Sequence, residues 1–329
     1  MKKTLIIKLG YSETLDAEIS RVSSLGDVLR TTVILHHFRD TQVTWLVDEK
    51  AYALLDGNPL IHRILIYDLT SVLQLQRERY DTVINFEKVP GLCALADSIS
   101  AWQRFGFRFD AESGEARAYD GCERAFTLCR SPAEKRAHRE PWQKILLESI
   151  GGKWRAQPYI LGYQPKSRVT QDVGLNHAVG GKWPTKAWPE EYWRQLAGML
   201  EVRASVSWQQ GFDNLYEYID WVHSCRTIVT CDSLGLHIAL ALKKNVVVLY
   251  GPTNSNETYL YDRGVGLYPM GYSCVPCFAP VCTQTTHCLR TILPDQVFQA
   301  VLDAQRGAPV RAEFAAPLPA DAPIEAVTR

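Results

Sequence analysis

The sequence predicts an α/β protein built as two doubly wound domains in tandem. Three observations predict it. Short apolar runs that read as strands alternate with helical stretches, the pattern of βαβ units on a parallel sheet. The alternation occurs in two separate blocks. Between the blocks the chain turns Pro-, Gly- and Tyr-rich, from Pro158 through Gly162 to Pro165, which marks a domain boundary. The expected division is 1–162 and 163–305, followed by an Ala- and Pro-rich tail, 306–329, without periodicity and expected to be disordered.

In the first block, Thr4–Leu9 is short, apolar and stopped by Gly10, so it reads as the first strand. Val43–Val47, Ile64–Tyr67 and Thr82–Phe86 read as further strands, with helices expected over Val28–Phe38 and Ala51–Leu55. From Gly91 to Ile150 the reading is mostly helical, over Leu92–Phe105 and Glu134–Ile150. In the second block, Val173–Asn176, Ala204–Trp208, Thr227–Thr230 and Val246–Tyr250 read as strands. Helices are expected over Pro189–Leu200, Asn214–Ser224 and Leu234–Leu242. Pro189 suits a first helical turn, and Glu190 and Glu191 suit its positive end.

Composition excludes several functions. Lys plus Arg and Asp plus Glu each number 36 in 329 residues, so no global basic field exists to neutralise a nucleic-acid backbone. No apolar run approaches the roughly 20 residues that span a bilayer, and the first residues lack a signal-peptide core. A cytoplasmic protein is the expectation. Nine cysteines are an odd number, which fits a disulfide framework poorly.

Three motifs carry the chemistry. In Ser24-Leu25-Gly26-Asp27-Val28, Ser24 or Asp27 can cap a helix, or Asp27 can stand at a cleft edge as a general base. The segment His177-Ala178-Val179-Gly180-Gly181-Lys182-Trp183-Pro184-Thr185-Lys186 joins a strand to a helix. Its glycine amides and lysine charges suit a phosphate, although it is neither a Walker A loop nor a dinucleotide fingerprint. In Asp232-Ser233-Leu234-Gly235-Leu236-His237, Asp232 or Ser233 caps the next helix, whose first amides form an anion site. Gly251-Pro252-Thr253 closes the strand after it.

In this order and spacing the motifs resemble glycosyltransferase family 9, which includes the ADP-heptose:lipopolysaccharide heptosyltransferases. The resemblance runs to about Ala304. It implies a GT-B fold, two Rossmann-like domains facing a cleft, and inverting transfer without a catalytic metal. It implies acceptor binding on the first domain and nucleotide-sugar binding on the second, with ADP-heptose as donor and a glycan or glycolipid of the cell envelope as acceptor. Asp27 matches the family's base and Lys186 the lysine that neutralises the diphosphate. His177, Gly180, Gly181, Lys182, Thr185, Asp232, Ser233, Leu234, Gly235, His237, Gly251 and Thr253 fall on donor-binding segments. Leu234 stands where the family motif carries glycine. Tyr11–Ile19 lengthens the first loop, and Trp208–Asp213 lacks an acidic cluster. A nucleotide-sugar epimerase, or a binding protein without catalysis, is the alternative on the same fold.

Cys274, Cys277, Cys282 and Cys288 lie within fifteen residues. They can close a tetrahedral zinc or iron site, or remain reduced thiols in a loop. Arg130, Lys135, Arg136, Arg139 and Lys144 make a mild basic region. It reads as a solvated helix face or as a contact with an anionic acceptor or the inner face of the inner membrane, which would make the protein at most peripheral.

Overall fold

The computed structural model describes residues 1–11, 22–181, 183–211 and 213–306. Lys182, most of the lengthened first loop and nearly all of the expected tail lie outside the described residues.

The N-terminal half runs β1 (Lys2–Ile7), α1 (Leu25–Thr31), β2 (Thr41–Val47), α2 (Tyr52–Leu55), β3 (Arg63–Ile66), α3 (Leu69–Leu75), β4 (Arg79–Asn85), α4 (Pro90–Ser98), β5 (Ser100–Asp110), β6 (Glu115–Ala118), α5 (Glu123–Arg130), α6 (Pro132–Ala137) and α7 (Trp142–Ser149). Its sheet has the order β3-β2-β1-β4-β5-β6. The strands pair in parallel except β5 with β6, which is antiparallel. The C-terminal half runs β7 (Gln171–Asn176), α8 (Glu190–Glu201), β8 (Val206–Trp208), α9 (Leu215–Ser224), β9 (Cys225–Cys231), α10 (Leu234–Ala241), β10 (Asn245–Leu249), β11 (Gly264–Leu267) and α11 (Pro294–Gln305). Its parallel sheet has the order β11-β10-β9-β7-β8. Two parallel-sheet domains of the predicted class are therefore present.

Three expected helices differ from the observed ones. Val28–Phe38 is α-helical only to Thr31 and continues as a 3₁₀ turn over Thr32–His37. The β-branched run from Thr31 to Ile34 crowds a helix, and the Thr31 and Thr32 hydroxyls bond back to the carbonyls of Asp27 and Leu29, which loosens the turn. Leu92–Phe105 is helical only to Ser98; Ser100 starts β5, whose residues find a ladder on β4. Tertiary pairing overrides local propensity there. Glu134–Ile150 is split into α6 and α7 by Pro141, which disfavours helix at Glu140 before it.

One apolar core runs through both halves. Val28, Leu29 and Ile34 belong to the same buried cluster as Tyr218, Ile228, Leu236 and Ile238. That continuity brings α1 against α10. Gly26 marks the closest approach, since a Cβ there would lie 2.6 Å from Cδ2 of His237.

Candidate active site

The starts of α1 and α10 face one cavity of about 330 Å³ between the two sheets. From the N-terminal half it is lined by Ser24, Gly26, Asp27, Arg30 and Lys135; from the C-terminal half by Gly180, Trp183, Lys186, Asp232, Ser233, Leu234, His237, Thr253, Glu257 and Phe278. Such a cleft, largely apolar with a few converging charges, is the usual form of a small-molecule site.

On the N-terminal side the key group is the Asp27 carboxylate. Ser24 occupies the N-cap position of α1 without a side-chain capping bond. The amide of Asp27 donates to the Ser24 carbonyl at 3.0 Å. The Asp27 side chain therefore acts elsewhere: its Oδ1 accepts from Arg30 Nη2 at 2.7 Å. Arg30 in turn lies over the Trp142 ring, 5.8 Å from its centroid. A buried guanidinium thus fixes the orientation of the carboxylate at the cavity wall.

On the C-terminal side, Lys186 Nζ donates to the Asp232 carbonyl at 2.8 Å and to its Oδ2 at 3.3 Å. The ammonium also lies 5.6 Å from the Trp183 ring centroid. Burial pushes the Asp232 carboxyl up, but Lys186 and His237 outweigh it and hold it below its ordinary value. Ser233 stands at the N-cap of α10 without a side-chain capping bond. Its hydroxyl meets Asn176 Nδ2 at 3.1 Å and Thr230 Oγ1 at 3.3 Å instead. The positive end of α10 therefore carries a lysine beside it and no capping side chain on it, an arrangement that suits an anion. His237, one turn into α10, is lowered to about 4 by burial and by Arg30. It is a neutral imidazole at pH 7, with Nδ1 3.3 Å from the Tyr159 hydroxyl.

The structure gathers Asp27, Gly180, Lys186, Asp232, Ser233, Leu234, His237 and Thr253 on the cavity. It places other expected residues off it. Thr185 is buried and donates to the Ala279 carbonyl at 2.7 Å, tying its loop to the cysteine-bearing segment. Gly235 sits under Asn176 and Tyr218, where a Cβ would meet Asn176 Nδ2 at 2.4 Å and Tyr218 Oη at 2.5 Å. Glycine at 235 is therefore a packing requirement between α10, β7 and α9. His177 packs edge-on against Trp208, with ring centroids 5.2 Å apart, and Gly251 lies against Leu289. Gly181 is exposed, with open space where its side chain would be.

Sequence reasoning missed Arg30, Glu257 and Phe278 as site residues, and placed Lys135 only in a solvated basic face. Lys135 Nζ pairs with Glu257 Oε2 at 3.3 Å, both side chains largely buried. Burial raises the Glu257 carboxyl above its ordinary value, with Lys135 and Arg30 opposing. The i,i+3 spacing of Asp27 and Arg30 was a visible signal for one of these pairs. Lys135 and Glu257 lie on different domains and left none.

The four clustered cysteines are free thiols. Among the described residues, no group of three or more His, Cys, Asp or Glu is arranged to hold a metal. The thiols nonetheless lie within one another's field. Burial first, then Cys277, Cys274 and Cys282, push the Cys288 thiol up to about 11.

Residues 211–287 match the model of glycosyltransferase family 9 (heptosyltransferase). Lipopolysaccharide heptosyltransferase 1 of Pseudomonas aeruginosa is 29% identical over 322 residues, covering 80% of this chain and 86% of the relative. The E. coli heptosyltransferase WaaC with ADP-2-deoxy-2-fluoro heptose superposes with a TM-score of 0.57 at 17% identity, over 92% of this chain and 99% of that one. TibC of enterotoxigenic E. coli, an iron-containing dodecameric glycosyltransferase, superposes with a TM-score of 0.57 at 13% identity, over 93% of this chain and 76% of that one. The structural likenesses speak for the GT-B fold alone. Together with the family match, the related sequence and a cavity whose two walls carry Asp27 and Lys186, they lead to one conclusion: this chain is a glycosyltransferase that resembles the heptosyltransferases of family 9.

Proposed function

We propose that the protein transfers heptose from ADP-heptose to a lipopolysaccharide acceptor with inversion. The single observation that carries this reading is the cavity with a buried carboxylate on one domain and a lysine beside an uncapped helix start on the other. In this reading residues 1–162 take the acceptor and 163–305 take the donor.

The chemistry follows from the two walls. The acceptor hydroxyl gives its proton to Asp27 as its oxygen bonds to the anomeric carbon. The bond from that carbon to the diphosphate breaks, and the electron pair leaves with ADP. Lys186 and the first amides of α10 stabilise the growing charge on the diphosphate, which is where fixed positive groups lower a barrier most. Arg30 holds the Asp27 carboxylate in place. His237, neutral, offers hydrogen bonds without adding charge. Relatives that are glycosyltransferases weigh against an epimerase or a purely binding role.

The test is acceptor dependence. Incubation with ADP-heptose and a heptose-free lipopolysaccharide core should release ADP and raise the acceptor mass by one heptose residue. A change in ADP-heptose that needs no acceptor favours the epimerase.

We also propose a structural zinc or iron at Cys274, Cys277, Cys282 and Cys288. The thiol donor set suits a soft ion, and the mutual field of the sulfurs is what a cation relieves. As placed, the sulfurs do not close a site, so no step of transfer passes through it. Elemental analysis of protein purified without added metal decides between one ion per chain and none. No helix among the described residues is long and apolar enough to cross a membrane. A cytoplasmic enzyme, at most peripheral at the inner membrane, suits an acceptor made at that face.

A further inference from the structure

The cavity holds a charged pair that takes no part in the transfer step. Lys135 from α6 and Glu257 from the turn after β10 meet at 3.3 Å across the two domains, and both line the cavity. The Lys135 ammonium is also 5.5 Å from the Phe278 ring centroid and 6.0 Å from that of Trp142. Phe278 lines the same cavity.

A largely buried ion pair is a poor way to hold two domains together. Removing two charges from water offsets most of their attraction, and an apolar pair of similar volume often does as well or better. The same pair is suited to recognition. A carboxylate accepts hydrogen bonds from hydroxyls, an ammonium donates to their oxygens, and charge-assisted bonds are the stronger kind. An aromatic ring beside them offers an apolar surface to the C–H face of a sugar. The aromatic rings and Glu257 hold the ammonium in one place, so little ordering remains for the ligand to supply.

We propose that Lys135, Glu257 and Phe278 form the sugar-reading part of the site: a polyol-binding element that recognises hydroxyls of the transferred sugar and sets donor specificity. This rests on the glycosyltransferase reading. Asp27 and Lys186 serve the reacting ends, whereas Lys135 and Glu257 distinguish which sugar lies between them.

The alternative role for the pair is a latch between domains, and a neighbouring contact provides the control. Asn254 Nδ2 donates to the carbonyls of Lys135 and His138, both at 2.9 Å, and its Oδ1 caps the turn that carries Glu257, so Asn254→Ala loosens the same junction while both charged side chains remain. The full-length protein is assayed with ADP-heptose and with ADP-mannose, which keeps the ring and lacks the seventh carbon. The readout is the ratio of their kcat/KM values, alongside the Kd for ADP by calorimetry and the melting temperature.

Glu257→Gln and Lys135→Met should each lower the ratio by about tenfold or more, as expected when one charge-assisted bond to the substrate is lost. The Kd for ADP should stay within about twofold. Asn254→Ala should lower the melting temperature and leave the ratio unchanged. The proposal is overturned if Glu257→Gln and Lys135→Met leave the ratio unchanged, whatever they do to melting, or if the unaltered enzyme takes both sugars alike. An unaltered protein that binds ADP but transfers neither sugar removes the glycosyltransferase reading and this proposal with it.

Discussion

The two sheets treat the carboxyl ends of their middle strands in opposite ways. In the N-terminal half, β1 runs out into consecutive amides that converge on one oxygen. Leu9, Gly10 and Tyr11 donate to Glu87 Oε1 at 2.7, 2.7 and 3.3 Å. Glu87 is fully buried beside Lys8, 3.5 Å away. A cluster of successive backbone N–H groups is an anion cradle, and here the chain's own carboxylate fills it. In the C-terminal half, β9 runs almost directly into α10. Ser233 does not cap the helix, and Lys186 stands beside it. The amides after β1 are satisfied by the chain itself, whereas the start of α10 carries no capping side chain. Under the proposed function, the same fold, used twice, separates an acceptor side from a donor side by where its negative charge comes from.

Substitutions can break that comparison, and the largest effect is expected at Asp27. Asp27→Asn should reduce turnover about 10²–10⁴-fold while calorimetry finds ADP binding unchanged. A loss of ADP affinity would place Asp27 on the donor side instead. Glu87→Leu empties the internal cradle and removes the carboxylate 3.5 Å from Lys8 Nζ. Urea unfolding should show a loss of about 3–5 kcal/mol; a loss under about 1 kcal/mol, within the range of an ordinary exposed pair, would mean that the cradle needs no internal anion. Lys186→Ala should differ from Asp27→Asn in weakening ADP binding by calorimetry as well, with turnover slower by about 10²–10³.

The smallest expected effect is a pH dependence at His237. Its folded value of about 4 lies below the ordinary 6.5, so between those values the unfolded chain binds more protons. Stability should be fully present above about pH 6.5 and fall as pH drops toward 4, by on the order of 3 kcal/mol. Denaturant midpoints across that range should flatten in His237→Gln. An unchanged slope would assign the acid sensitivity to other groups.

Most of the strand pattern was legible because buried parallel strands read as apolar runs. Thr4–Leu9 and Val246–Tyr250 overlap β1 and β10 within two residues at each end. Asp27, Lys186, Asp232 and His237 were legible through the order and spacing of the motifs that resemble glycosyltransferase family 9; local chemistry alone left a plain cap or a packed histidine open. What failed was non-local. β5 is made a strand by its ladder to β4, which no window over Leu92–Phe105 contains. Lys135 and Glu257 are 122 positions apart in sequence and become a pair only when the two sheets face each other. Thr185 illustrates the reverse error: a hydroxyl in a phosphate-like loop proved to be spent on Ala279.

The contact between Gly26 and His237 sets local and global interests against each other. In an isolated helix, alanine at position 26 would be preferred to glycine by about 1 kcal/mol. Here its methyl group would stand 2.6 Å from the imidazole of the opposite domain, so the helix would gain while the cleft was wedged apart. Helix propensity alone would therefore push this position the wrong way. A stabilised variant of this protein should be screened for donor binding before its higher melting temperature is counted as an improvement.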